Sequence, residues 1–478
     1  MQERNIFLNL SPLDHRYYLS NQEEHENLAK YLSEEATIRY CIKIELALLS
    51  ELIELTQKEK CEAVLFKEQL EQVGDAIDPQ EVYAEEAKTQ HNIRALVNVL
   101  KRKVPPALAR FVHLGATSVD ILDTALSLRI RDAIRQVVLP IMLELEEALI
   151  EVVEKEAQTV QVGRTHGQFA VPITFGFAMA EYVSRLGKTI ERIEAKSKDL
   201  RGKLTGAVGA YNATSMITAD PAGFEARVMA RLGLKSSEHA TQLVEPEYLL
   251  SLLVELNIAF GIIANLADDL RHLQRSEIAE IQEEFSAHQV GSSTMPQKRN
   301  PWNCEHVKSL WKAFCPRVVT FFMDQISEHQ RDLTNSASQR FVCEYIAGFT
   351  FACKRMLKII RSLRVNREKM KANLKAAGSF LLAEPAYILL ALGGDNDAHE
   401  TIRQLTLEAE RSDLEFIDVL KKNETVWQIL ESQLKQVNQL SALEFFSKPE
   451  NYVGLASQKA TDLSLKYREI CKRIKEAL

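Results

Sequence analysis

The chain has 478 residues, of which 46% are hydrophobic and 26% charged. That is material for roughly three domains, each with its own core, and it is not the balance of a disordered chain. A formal net charge of −7 gives no basic field along the sequence, which argues against a general nucleic-acid binder.

With only 18 Gly and 13 Pro, turns are few and elements long, which favours helices over many short strands. The N-terminal MQERNIFLNLS is too polar for a signal peptide, and no apolar run approaches the ~20 residues that a membrane span needs. The seven cysteines (Cys41, Cys61, Cys304, Cys315, Cys343, Cys353, Cys471) are scattered and form no C-x-x-C pair. Reduced, mostly buried thiols in a cytoplasmic protein without a membrane partner are therefore expected.

Shorter helical segments run from about Glu24 to about Lys103. Longer ones follow at Ser118 to Gln158, with a bend at Pro140, and at Pro172 to Leu204, Glu247 to about Phe285, Pro301 to Ser327 and Ser336 to Leu363. The third of these carries Leu249, Leu252, Leu253, Leu256, Phe260, Ile263, Leu266 and Leu270 at helical period and is apolar nearly all round in its first half, as a helix surrounded by others would be. An all-α fold is expected, with a central five-helix bundle over 113–365 between helical domains over 1–112 and 366–478.

Most familiar signatures are missing. No G-x-G-x-x-G, P-loop, H-E-x-x-H or zinc-spaced Cys/His cluster occurs, so nothing asks for a dinucleotide, a metal or another cofactor. Three loops at the helix junctions are instead rich in Gly, Ser, Thr, His, Lys and Asn, and loops held by a rigid scaffold are where function concentrates. Gly115-Ala116-Thr117-Ser118-Val119-Asp120 enters a helix, where free N–H groups and small hydroxyls suit a carboxylate, although a lone Thr-Ser there is more often only a cap. Gly163-Arg164-Thr165-His166-Gly167-Gln168 offers a histidine able to move protons near neutral pH. Gly291-Ser292-Ser293-Thr294-Met295-Pro296-Gln297-Lys298-Arg299-Asn300-Pro301 gathers hydroxyl, ammonium and amide groups suited to proton abstraction beside a stabilised anion.

The last string resembles the signature of the fumarase/aspartase superfamily, and the other two loops match the same superfamily in the same order. Ser11-Pro12-Leu13-Asp14-His15-Arg16-Tyr17, Thr89-Gln90-His91-Asn92 and Ala240-Thr241-Gln242-Leu243-Val244-Glu245-Pro246 look like the adenylosuccinate lyase family within it. So do Arg331, Ser336 and Arg340, spaced R-x4-S-x3-R, with Ser336 expected to cap a helix and Arg340 one turn further on. Two residues depart from that family's pattern: Asn92, where Asp is common, and His306, where relatives carry Arg or Asn. The Met-Pro-Gln-Lys wording is shared with argininosuccinate lyases, which, with other fumarate-releasing members of the superfamily, are the alternative; a non-enzymatic structural protein on the same helical scaffold is a further one.

The resemblance implies a helical homotetramer with a twenty-helix core, whose sites each draw loops from three subunits, and β-elimination of fumarate without a cofactor. Ser292 would be the general base. Lys298 and Asn300 would hold the dianion that forms, and His166, oriented by Glu305, would protonate the leaving nitrogen. Thr117, Ser118 and Gln242 would take the succinyl carboxylates. Arg16, Tyr17, Gln90, His91, Asn92, His306, Arg331, Ser336 and Arg340 would meet the nucleotide.

Overall fold

A computed structural model describes residues 5–56, 70, 72–285, 291–437 and 440–478. Cys61 and residues 1–4 lie outside them, as does the middle of the expected helical stretch between Glu24 and Lys103.

All five long segments are helical, with shifted ends. The first runs Ser118–Ala133, passes through a π-helical turn at Ile134–Val138, and continues as Leu139–Lys155. The turn ends two residues before Pro140, which has no N–H to give the carbonyl of Gln136 within it. The others are Phe175–Lys198, Glu247–Leu273, Trp302–Phe314 continued by Arg317–Met323, and Val342–Arg361. Pro316 breaks the fourth where the sequence suggested one uninterrupted helix.

The bundle gains a sixth member. The last helix, Ala456–Ala477, packs on Phe175–Lys198 and Leu139–Lys155, and its Ala460, Tyr467, Cys471 and Ile474 belong to the bundle's core. A second core joins the helices Glu34–Thr56 and Asn92–Lys103 to Ile121, Ala125, Leu128, Phe224 and Val228. A third fills the helices between Ala383 and Phe446. The apolar clusters thus cross both expected boundaries, near 112 and near 365.

The expectation of an all-α fold needs correction in one place that matters. Val160–Thr165 and Gln168–Thr174 form an antiparallel hairpin, with Val160 opposite Thr174 and Thr165 opposite Gln168. Pro172 therefore lies in a strand rather than at a helix start, and Thr174 caps the helix that follows by accepting the Phe177 N–H at 3.1 Å. Alternation of Val160, Val162, Val171 and Ile173 was the available strand signal. Short pairings Ile281–Gln282 with Arg364–Val365 and Arg201–Gly202 with Lys235–Ser236 tie loops to the bundle ends.

Glu247–Leu273 is by length and composition apolar enough to cross a membrane, against the sequence expectation. Its Leu252, Leu256, Phe260, Ile263 and Leu266 are packed against the other bundle helices. Six described cysteines are unpaired, with Cys41, Cys304, Cys353 and Cys471 buried.

Candidate active site

The helices alternate in direction, so junctions gather at two ends of the bundle. At one end Thr117 precedes the helix Ser118–Ala133, and its N–H donates to Asp120 Oδ2 at 2.8 Å, the acidic half of a capping box. Thr117 Oγ1 accepts from Gln242 Nε2 at 3.3 Å, and Gln242 Oε1 accepts from Arg331 Nη1, also at 3.3 Å. Ser118 is the first residue of its helix, where the backbone N–H groups are free of intrahelical partners. The Arg331 Nε is buried and has no protein partner among the described residues, so the guanidinium keeps donor capacity for an anion.

Ser336 and Arg340 follow on the same end, but not as expected. Ser336 caps no helix: a short 3-10 segment, Ser338–Phe341, intervenes before Val342. Ser338 donates to Asp324 Oδ1 at 2.6 Å and Asn335 Nδ2 to the Asp324 carbonyl at 3.3 Å, which pins the segment back onto the preceding helix. Arg340 is exposed in that 3-10 segment.

The opposite end holds the hairpin. His166 and Gly167 are its two turn residues, with φ of 53° and 75°. Left-handed geometry at both positions is that of a type I′ turn, usually filled by Asn and Gly, and histidine is among the few other residues found in it with any frequency. The hairpin's base is fixed by buried Glu280, which accepts from Arg164 at 2.7 and 3.1 Å, from Gln161 Nε2 at 2.6 Å and from Asn373 Nδ2 at 2.8 Å. His166 is thereby carried outward, exposed, on a rigid stalk.

The signature loop leaves the same end. Ser292 Oγ accepts the Met295 N–H at 3.1 Å and the Thr294 N–H at 3.4 Å. Donors aimed at a hydroxyl oxygen favour its deprotonated form. Asn300 Nδ2 donates to the Gly291 carbonyl at 3.0 Å and closes the loop, while Lys298 remains exposed. Glu283 then accepts the N–H groups of Asn303 and Cys304 at 3.2 and 3.0 Å, starting the helix that carries exposed Glu305 and half-buried His306. No hydrogen bond joins His166 to Glu305 within the described residues of one chain.

His306 Nε2 lies 3.0 Å from the Tyr17 hydroxyl, and Tyr17 stacks on Phe351. Burial, helped by the nearby Arg355 guanidinium, pushes the His306 pKa down; burial raises that of Tyr17. Both groups are therefore neutral at pH 7. Arg16, beside Tyr17, is exposed.

Gln90, with φ of 52°, and His91 mark the junction between Pro79–Thr89 and Asn92–Lys103. His91 Nδ1 accepts the Arg94 N–H at 3.2 Å, which leaves the proton on Nε2, facing outward. Asn92 Oδ1 accepts the next backbone N–H, at 2.8 Å, so this side chain serves the helix start.

Sequence reasoning missed Asp123, Lys203, Glu280 and Arg355. It passed over Asp120 as well, although Thr117-Ser118-Val119-Asp120 has the spacing of a capping box. Nothing in the local sequence marks the others, because their partners are scores of residues away.

The expected residues therefore fall into separate groups. Thr117, Ser118, Gln242 and Arg331 lie at one end of the bundle; His166, Ser292, Lys298, Asn300 and Glu305 lie at the other. Glu247–Leu273 spans the interval with 27 residues, roughly 40 Å at 1.5 Å per residue. No small substrate touches both groups of one chain.

A sequence model described as "Lyase" matches residues 17–318, and one described as "Adenylosuccinate lyase C-terminal" matches 327–442. A solved structure, the 3-carboxy-cis,cis-muconate lactonizing enzyme of Pseudomonas putida, superposes with a TM-score of 0.76 over 93% of this chain and 97% of its own, at 22% identity. Fold and loops together define a lyase of the fumarase/aspartase superfamily. Adenylosuccinate lyase of Pyrococcus abyssi is 36% identical across 78% of this chain and 81% of its own, and that of Archaeoglobus fulgidus 31% identical across 96% and 99%. The chain belongs to the adenylosuccinate lyase family.

Proposed function

We propose that the protein eliminates fumarate from adenylosuccinate, leaving AMP, and from succinylaminoimidazole carboxamide ribotide, leaving the aminoimidazole carboxamide ribotide, as a cytoplasmic homotetramer. The observation that carries the mechanism is the Ser292 hydroxyl set against the Met295 and Thr294 N–H groups in a loop that also presents Lys298 and Asn300.

The reaction must take a proton from a carbon next to a carboxylate, so the carbanion adds charge to a group already negative. Ser292, deprotonated under its two N–H donors, takes that proton. Lys298 and Asn300 hold the resulting dianion. His166, partnered by Glu305, gives a proton to the departing nitrogen, and the C–N bond breaks to release fumarate and the amine. Thr117, Ser118 and Gln242 hold the succinyl carboxylates; Arg331, Ser336 and Arg340 face the phosphate; Arg16, Tyr17, Gln90, His91, Asn92 and His306 meet the nucleoside. No step needs a cofactor.

The separation of these groups along one chain supports a site shared between copies, and the family resemblance puts the number of contributing subunits at three. So do the exposed apolar side chains of Val319, Phe322, Met323, Ile326 and Phe341, which a neighbouring copy would cover. The deciding experiment offers the purified protein adenylosuccinate and, separately, argininosuccinate, following fumarate with AMP or arginine. Fumarate with AMP is expected. Turnover of argininosuccinate alone would reject the nucleotide assignments while leaving the superfamily intact. Light scattering at micromolar concentration is expected to give four copies.

A further inference from the structure

Behind the Thr117 and Gln242 side chains lies a network for which the elimination chemistry has no role. Asp120 is fully buried; its Oδ2 accepts the Thr117 N–H at 2.8 Å, and its Oδ1 accepts the Gly206 N–H at 3.3 Å and the ammonium of Lys203. Lys203 is also fully buried and is clamped by Thr124, whose Oγ1 donates to its carbonyl at 3.1 Å and accepts its N–H at 3.0 Å. One turn on from Asp120, Asp123 Oδ2 accepts the Val244 N–H at 3.0 Å, two residues from Gln242.

We propose that Asp120 and Asp123, with Lys203 neutralising the first, are positioning residues that set Thr117 and Gln242 in register to receive a substrate carboxylate. The inference rests on the reading that Thr117 and Gln242 bind such a group. Two carboxylates one helical turn apart each hold one of the two segments, so the spacing between the segments is inherited from a rigid helix. A buried ion pair is weak evidence for stability, because desolvation offsets most of its attraction. Placing negative charge behind an anion site would by itself repel the anion. Lys203, paired with Asp120 and also lending its positive charge to Asp123, offsets that repulsion and leaves the hydrogen bonds.

The test is a double-mutant cycle on KM and kcat with adenylosuccinate, using the assembled protein. Asp123→Ala is expected to raise KM about tenfold, as for loss of one charge-assisted hydrogen bond, with kcat changed less than about threefold. Asp123→Asn, which keeps an acceptor for Val244, restores most of the loss. Because Asp123 acts through Gln242, Asp123→Ala on a Gln242→Ala background costs little more than Gln242→Ala alone. Should the alanine variant fail to assemble, Asp123→Ser, too short to reach Val244, takes its place.

A raised KM in Gln242→Ala together with an unchanged KM in Asp123→Ala, or additive effects in the double variant, overturns the positioning role alone. An unchanged KM in Gln242→Ala overturns both the positioning role and the reading of the carboxylate site.

Discussion

The Tyr17 hydroxyl and His306 Nε2 meet at 3.0 Å across 289 positions of sequence. The contact docks the N-terminal segment onto the helix that follows the signature loop. It also gives His306 a defined structural partner. Arg355 stands over the Trp302 ring at 5.2 Å and donates to Asn303 Oδ1 at 2.9 Å, so a cation borders the pair.

His306 should titrate below 6.5, because burial and the Arg355 charge both disfavour its protonated form. The sign for stability follows: the unfolded chain takes up this proton first as pH falls, so the contact's contribution is full above about 6.5 and declines in acid through the lowered pKa. Proton NMR of the His306 ring, assigned by His306→Gln, checks the direction. Tyr17→Phe is expected to raise KM for adenylosuccinate about three- to tenfold through loss of one hydrogen bond, with kcat little altered. An unmoved KM would place the pair outside the substrate site.

His166 occupies a left-handed turn position that Asn tolerates better than other side chains. His166→Asn should therefore keep the hairpin and the oligomer while lowering kcat by about 10²- to 10⁴-fold, the usual contribution of a general acid. Size-exclusion behaviour like wild type with activity above a tenth of wild type would remove His166 from proton transfer.

Ser292→Ala removes the oxygen that the Met295 and Thr294 N–H groups address. Loss of kcat by at least about 10³-fold with retained substrate binding is expected, as for removal of an activated proton acceptor. Substrate affinity is read by calorimetry on the inactive variant. Turnover near wild type would pass the base role to another group.

What could be read in the sequence follows the range of the forces involved. The helix Glu247–Leu273 announced itself because apolar spacing is local, and the three loops because their compositions break that spacing. The hairpin around His166 was hidden, since two strands of six and seven residues between long helices leave a weak alternating signal. Ser336 does not cap because Asp324, twelve positions earlier, captures Asn335 and Ser338 on either side of it. The return of Tyr467 to the bundle core and the pairing of Asp120 with Lys203 are tertiary facts, and no window of neighbouring residues contains them.

Glu146 is the least comfortable group in the bundle. It is fully buried, neither carboxyl oxygen has a hydrogen-bond partner among the described residues, and burial alone drives its pKa well above the carboxylate range. Across from it Gly187 leaves room for the Tyr467 ring: an added Cβ would stand 2.2 Å from the ring and 2.9 Å from Glu146 Oε1. The last helix is thus seated on a glycine against an unpaired acid, and burial with the nearby acids Glu146 and Glu147 pushes the Cys471 thiol up to about 12. Because the folded pKa of Glu146 is raised, the native state binds more protons than the unfolded chain above about pH 4.3. Stability from this group is full below that pH and is lost as pH rises toward the raised value. Glu146→Met, similar in volume and uncharged, should therefore stabilise by on the order of 1–3 kcal/mol, and by more at pH 8 than at pH 5. Gly187→Ala should act oppositely at both pH values by displacing Tyr467. Thermal unfolding at one fixed protein concentration reads both variants. A Glu146→Met gain that shrinks between pH 5 and pH 8 would show that the carboxyl is charged and favourably held in the folded bundle.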